Sequence, residues 1–418
     1  MKEKNCPITF MEVLDSISEK HCVTELSFWI QRILLGGVFV SFFLGCTPMK
    51  DISRSIGTPD FEEIDGSFLY DYNPETKLGN EIYGTIVCDF ENDNPGRNSH
   101  GGPVAMEYAN SDLIMFHTNT NGHSLEGWSE FALSKDGGKT WKRNNKFKYS
   151  YDSYQNNSKR PAWVEQGLVT SKGTVVLFIT HFQLPENIRT NSGFMRSLDH
   201  GRTWEEYQPF DGGFVGYPTS VAVKGDTSFV LFDPDNGPHT LYVSTDDGLS
   251  WHKRSTLTLD DLKWYGTMCF MDDGRLIAGA YDSKDEEHFY YCISENSGNI
   301  WGEQKRAYVD KKIRDPEIAC VEGRYYLHGR SGHSGKEAHQ FVLYQSDDGE
   351  NWGKGTIISS DTRGPDGYSD NCIVNKYKKD VPNELMVGYS IVYEPYKNRN
   401  TNEYVFFIKV MPGADSLK

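Results

Sequence analysis

The sequence predicts an all-β fold of radially repeated sheets, and three observations carry that prediction. A turn octet recurs five times: SKDGGKTW from Ser134, SLDHGRTW from Ser197, STDDGLSW from Ser244, SENSGNIW from Ser294 and QSDDGENW from Gln345. Successive starts lie 63, 47, 50 and 51 residues apart, the period of a radial sheet repeat. Between them run short β-rich segments, among them TVVLFIT (174–180), TSFVLF (227–232), RLIAGAY (275–281) and RYYLHG (324–329), whose content excludes helical repeats.

Each octet directly follows such a segment and so caps a hairpin. An Asp or Asn side chain bonds back to nearby N–H groups, Gly supplies positive φ, and Trp covers the hairpin. Asp136, Asp199, Asp246 and Asp347 are therefore turn formers, not catalytic acids. From Glu81 to Val410 there is room for six units plus one insertion, which the 63-residue gap places around YSYDSYQNNSK. The last unit, ELMVGYSIVY with EYVFFIKV, lacks an octet and is expected to close the ring with EIYGTIVCDF, removing exposed edges.

Composition narrows the function. The net charge of -16 and the lack of a Lys/Arg run speak against a nucleic-acid partner. Aromatic residues make up 13% of the chain, which suits strands and equally suits surfaces that stack on sugar rings. No GxxxxGK[ST] loop, HExxH or paired CxxC occurs, so no cofactor or catalytic metal is expected; scattered Asp residues leave a structural Ca²⁺ open. Of eight cysteines, five lie beyond Cys46, an odd number that reads as buried free thiols, not a disulfide framework.

At the amino terminus, ILLGGVFVSFFLGC after Arg32 is an apolar run of signal-peptide length. FFLGC (42–46) resembles a bacterial lipoprotein cleavage box, with Leu44 where a smaller residue is usual and Cys46 as the lipid-bearing residue. The expected organisation is a leader over 1–46, a tether over 47–80 and the repeat fold over 81–418. The protein is expected to be exported, meeting the membrane only through an anchor at Cys46; plain secretion and a later true start are the alternatives.

In a radial fold the inner strands begin beside the axis. The segments SHGGPVA (99–105), KRPAWVE (159–165), VGYPTSV (215–221), KWYGTMC (263–269), IRDPEIA (313–319) and GYSDNCI (367–373) share one register. They would ring the axis with His100, Arg160, Tyr217, Trp264 or Tyr265, Arg314 with Asp315, and Tyr368 with Asp370. Second-strand ends add His123, Glu126, His181, Asp282 and Arg330, of which His181 and Asp282 are read as serving loops. Converging titratable groups in a concavity point to a ligand site.

The octets resemble the S-x-D-x-G-x-T-W boxes of the sialidase superfamily, with Asn296 for Asp in the fourth and Gln345 and Asn351 for Ser and Thr in the fifth. The resemblance implies a six-bladed β-propeller with peripheral boxes, far from the central pocket, and an exo-acting glycoside hydrolase with a glycan partner. DPEIACVEGRYYLHGR resembles the family's carboxylate–strand–arginine motif, which implies Asp315 or Glu317 as activating base and Arg330 as a substrate contact. GYSDN resembles the motif of its catalytic tyrosine, which implies Tyr368 as nucleophile or proton carrier.

Two arginines of the family triad are missing: the first blade has HGGP in place of RIP, and HQFVLYQ precedes the fifth box. Sialic acid is therefore not the expected sugar unless Arg160 and Arg314 compensate. H-x-x-P at His100, followed by His123, resembles propeller polysaccharide lyases and rhamnosidase-like hydrolases acting on uronate glycans, where a His and Tyr pair abstracts a proton. Glu126 as general acid is the hydrolytic alternative to His123. A non-catalytic glycan-binding propeller is the third reading.

Overall fold

The computed structural model describes residues 82–88, 98–120, 125–233, 238–259, 263–332, 340–359, 368–393 and 400–409. The leader, Cys46, the tether and His123 lie outside them.

The chain opens with β1 (Ile82–Cys88). Five meanders follow: β2 to β5 (Asn98–Glu107, Leu113–Thr120, Gly127–Ser134, Lys142–Lys146), β6 to β9 (Ala162–Val169, Val175–Gln183, Ile188–Ser197, Gln208–Pro209), β10 to β13 (Tyr217–Lys224, Thr227–Asp233, His239–Ser244, His252–Leu257), β14 to β17 (Trp264–Phe270, Leu276–Asp282, Asp285–Ser294, Lys305–Tyr308) and β18 to β21 (Arg314–Val321, Arg324–Ser331, Gln340–Ser346, Thr356–Ser359). The chain ends with β22 (Ser369–Val374), β23 (Glu384–Tyr393) and β24 (Asn400–Lys409). Each meander is one four-stranded antiparallel sheet; the sixth has the order β1-β24-β23-β22. The first strands β2, β6, β10, β14, β18 and β22 contact one another in that order and back to β2. The fold is a six-bladed β-propeller, and those six strands line its axis.

Ring closure follows the sequence expectation. β1 pairs antiparallel with β24, Ile82 opposite Ile408, so the amino-terminal strand becomes the outer edge of the carboxy-terminal blade. The insertion is also where the spacing placed it, folded as the helix α1 (Lys148–Asn156) between the first and second blades.

Six apolar clusters each bridge two neighbouring blades. Val104, Phe116 and Phe131 of blade one pack on Val164, Leu177 and Met195 of blade two, and Met386 and Phe407 of blade six pack on Ala105 and Met115 of blade one. Blade faces buried on both sides explain the unbroken apolar runs that a one-faced sheet would alternate.

The octets are turns held by their side chains. Asp199 Oδ1 accepts from Ser197 Oγ at 2.9 Å and from Thr203 N at 2.8 Å, while Gly201 N donates to Ser197 Oγ. Asp136 and Asp246 repeat the pattern, and Asn296 reproduces it in the fourth octet through Ser294 Oγ and Ile300 N. Gly138 is required twice over: its φ is +87°, and a Cβ there would meet the Phe407 ring of the last blade.

Two expectations about the octets need correction. In the fifth, the turn former is Asp348, which accepts from Ser346 Oγ and the N–H groups of Glu350 and Asn351, whereas Asp347 is exposed. That octet is one residue short and begins at Ser346, not Gln345. The octet tryptophans do more than cover their own hairpins: Trp141, Trp204 and Trp251 are buried in the clusters shared with the preceding blade. The turn motif thus couples local structure to blade-on-blade packing.

Candidate active site

The axial pocket is built by β-bulges. In β6 the ladder passes from Val164 to Gln166, skipping Glu165; in β10 from Pro218 to Ser220, skipping Thr219. In β14 it passes from Trp264 to Thr267, in β18 from Arg314 to Glu317, and in β2 from His100 to Val104. The skipped residues Glu165, Thr219, Tyr265, Asp315 and the Gly102–Pro103 pair all line one pocket on the axis. A bulge re-aims its unpaired side chain, and here five of them aim inward. Tyr265 and Asp315 do so with φ of +51° and +48°, a conformation non-glycine residues rarely adopt.

β22 contributes without a bulge. Tyr368, immediately before it, is clamped to β23: its N–H donates to Ser390 Oγ at 3.0 Å and its carbonyl accepts from Ser390 N at 2.9 Å. Tyr368, Ser369 and Asp370 complete the pocket wall with Tyr217, Gln166 and Glu317.

Four carboxyls therefore converge. Burial holds Asp315 above the usual carboxylate range even though Arg330 and Arg314 oppose it; Arg330 Nη2 donates to its Oδ2 at 2.5 Å. Burial and then the nearby Asp370 push Glu317 well up, against the hydrogen bond from Thr267 Oγ1 at 2.9 Å. Burial raises Asp370 to about 6 although Ala105 N and Gln166 Nε2 donate to it, and raises Glu165 to about 7 against Arg189. Near neutrality such a set contains carboxyls that hold protons, the requirement for acid catalysis.

The aromatic wall is continuous. Tyr217 meets Tyr265 edge-on at 5.7 Å, Tyr265 lies 6.0 Å from Tyr368 and hydrogen-bonds to it, and the Arg330 guanidinium sits 5.9 Å from the Tyr368 ring centre. Burial raises the Tyr217 and Tyr265 phenols well above their ordinary range.

Of the residues singled out in the sequence, Tyr368, Asp315, Glu317, Tyr217, Tyr265 and Asp370 line this pocket, and Arg330 stands behind Asp315. Others do not reach it. Arg160 is exposed and donates to Gln183, because the inner strand starts only at Ala162 and its bulge falls at Glu165. Trp264 is 38% exposed: it is paired in register with Tyr281, on the opposite course from the bulged Tyr265. Arg314 turns to Glu286 at 3.0 Å and the Tyr281 hydroxyl at 2.9 Å. Glu126 is exposed at the entry to β4 and is not part of the wall. His181 bonds Tyr149 and Asp282 pairs with Lys263, the supporting roles expected of them. His100 is described only by its backbone, opposite Thr118.

Sequence reasoning missed Glu165, Gln166, Thr219 and Ser369. Glu165 was visible as the single charged residue of the strand AWVEQGLV. Behind Ser369, the fully buried His328 is held neutral by burial; its Nε2 faces Asn371 Nδ2 and its Nδ1 faces Ser369 Oγ, each at 3.0 Å. With Asn371 donating, Nδ1 carries the proton and donates to Ser369, whose own hydroxyl proton is left for the pocket.

No family model matches the chain, and no curated protein matches it by sequence. Solved structures match its fold. A protein of unknown function from Dyadobacter fermentans aligns with a TM-score of 0.59 at 13% identity, over 78% of this chain and 99% of that one. Trypanosoma rangeli sialidase aligns with a TM-score of 0.55 at 15% identity, over 82% of this chain and 59% of the longer sialidase. An α-L-arabinanase from Penicillium chrysogenum, solved with arabinobiose, aligns with a TM-score of 0.52 at 15% identity, over 77% and 97%. The chain has the six-bladed propeller fold that these glycosidases share.

Proposed function

We propose that this propeller is a glycoside hydrolase working from the axial pocket. The observation that carries the reading is the convergence of Tyr368 with Asp315, Glu317, Asp370 and Glu165 in a single aromatic-walled concavity. A binding module needs aromatic surface and hydrogen-bonding groups; it has no use for buried carboxyls that hold protons near neutrality, which glycosidic cleavage does need.

In this reading Tyr368 attacks the anomeric carbon while Asp315, whose ionised form Arg330 and Arg314 favour, accepts its phenolic proton. Glu165, kept protonated up to about pH 7, gives its proton to the leaving glycosidic oxygen. The leaving alcohol departs; water, deprotonated by the Glu165 carboxylate, then attacks the anomeric carbon, and Asp315 returns its proton to the departing Tyr368 oxygen, which releases the sugar and restores the starting protonation states. Export and lipid anchorage at Cys46 belong to the proposal as well, and radiolabelled palmitate incorporation that is lost in Cys46→Ala tests them.

Incubating the protein with a panel of oligosaccharides, read by mass spectrometry, tests the activity. Release of a sugar with one added water supports hydrolysis. A product lighter by one water would move the chain to the eliminating lyases, and binding without any product would leave a glycan-binding module.

A further inference from the structure

We infer that Tyr265 is a second catalytic phenol: its hydroxyl donates a hydrogen bond to the Tyr368 oxygen and stabilises the negative charge which that oxygen carries as it parts from the sugar. The inference rests on Tyr368 being the nucleophile proposed above.

Two blades build the placement of Tyr265. Its φ of +51° is one that non-glycine residues rarely adopt, and strain of this kind persists only where neighbours enforce it. The Tyr265 N–H donates to Asp233 Oδ2 of blade three at 3.0 Å, and the other oxygen of that carboxyl faces the buried His239 at 3.9 Å. Glycine suits the next position, because a Cβ on Gly266 would lie 2.8 Å from Leu231 Cδ2 and 3.0 Å from His239 Nδ1, both side chains being buried. The bulge so fixed turns the Tyr265 ring into the pocket, edge-on to Tyr217 at 5.7 Å and stacked on Tyr281 at 6.2 Å. Packing alone needs no hydroxyl there, and this one bonds to the Tyr368 hydroxyl.

Which phenol donates follows from their surroundings. Burial, Tyr368 and Asp315 hold the Tyr265 phenol well above its ordinary range, so it keeps its proton. Tyr368 has the Arg330 guanidinium 5.9 Å from its ring centre, a charge that favours the phenolate. Of the carboxyls on the same wall, burial pushes Glu165, Glu317 and Asp370 up toward the protonated form, and Asp315 is the one paired with Arg330. Tyr368 therefore ionises first, and Tyr265 is the donor.

A hydrogen bond to an anion is stronger than one to a neutral phenol, so this contact strengthens as charge develops. When water attacks the anomeric carbon, the bond from that carbon to Tyr368 breaks and the electron pair stays on the phenolic oxygen. Tyr265 stabilises that oxygen until Asp315 returns the proton. In the first step the same hydrogen bond holds back the attacking lone pair. Losing the Tyr265 hydroxyl therefore slows release of the sugar more than its capture.

The test compares the whole protein with Tyr265→Phe, which keeps the ring and its packing. On a glycoside that the unaltered protein cleaves, kcat should fall about 10-fold or more. Intact-protein mass spectrometry should then show the variant carrying one sugar less one water, the glycosyl group standing in place of the Tyr368 phenolic hydrogen. Tyr265→Phe combined with Tyr368→Phe should carry none. Unchanged turnover in Tyr265→Phe, or a fall without the adduct, overturns the inference and leaves hydrolysis standing.

A second readout does not depend on cleavage. In NMR of the protein with isotope-labelled tyrosine, the Tyr368 resonance is identified by its loss in Tyr368→Phe. It should titrate about one pH unit higher in Tyr265→Phe, as a roughly tenfold weaker acid. If no glycoside is cleaved, the hydrolase reading fails and this titration decides the donor role: a raised midpoint upholds it, and the same midpoint in both proteins overturns it.

Discussion

Arg330 Nη2 lies 2.5 Å from Asp315 Oδ2, with side-chain exposures of 4% and 5%. The register of blade five places Arg330 opposite Arg314, and the bulge that skips Asp315 swings its carboxyl back over the guanidinium. One pair therefore joins the strained inner strand to its neighbour and sets the floor on which Tyr368 rests.

Removing the arginine leaves a buried carboxyl without its counter-charge. Arg330→Met should destabilise the protein by about 3–5 kcal/mol, measured by denaturant unfolding. A loss below about 1 kcal/mol would mean that the pair is not buried in solution as it is here.

Tyr368→Phe removes only the phenolic oxygen from a residue held by its backbone. The turnover of a cleaved glycoside should fall on the order of 100-fold or more with unchanged melting temperature. Retained turnover would take Tyr368 out of the chemistry.

Glu165 should shape both stability and rate against pH. Its folded carboxyl titrates at about 7 against an ordinary value of 4.5, so between those values the folded state holds a proton that the unfolded chain releases. Stability therefore falls as pH rises through that window and levels off above it, by on the order of 3 kcal/mol. Glu165→Gln should flatten the slope in pH-dependent melting curves. If Glu165 is the acid, the same variant removes the loss of rate above about pH 7.

The octet acids should behave as folding elements. Asp199→Ala deletes the acceptor for Ser197 Oγ, Thr203 N and Thr203 Oγ1, and should cost about 2 kcal/mol while leaving turnover unchanged. A catalytic loss at full stability would contradict the turn assignment.

Much of this molecule is legible along the chain. The octets, their period, the β-rich segments, the place of the insertion and the closure of the ring through residues 82–88 all follow from local signals, since turn chemistry acts within eight residues and strand pattern within ten; that the insertion is a helix did not. Tyr368, Asp315 and Asp370 could be found because they open inner strands in a shared register. What the chain alone could not decide is which side chain at each strand opening faces the axis. A bulge displaces the register by one or two residues, so Glu165 enters the pocket and Arg160 does not, and Tyr265 enters while Trp264 turns out to solvent. The same limit hid the pairing of Arg330 with Asp315 and of His328 with Ser369, since both depend on contacts between strands that only the assembled blades bring together. Sequence period determined the architecture; bulges and burial, which are tertiary, decided the chemistry of its centre.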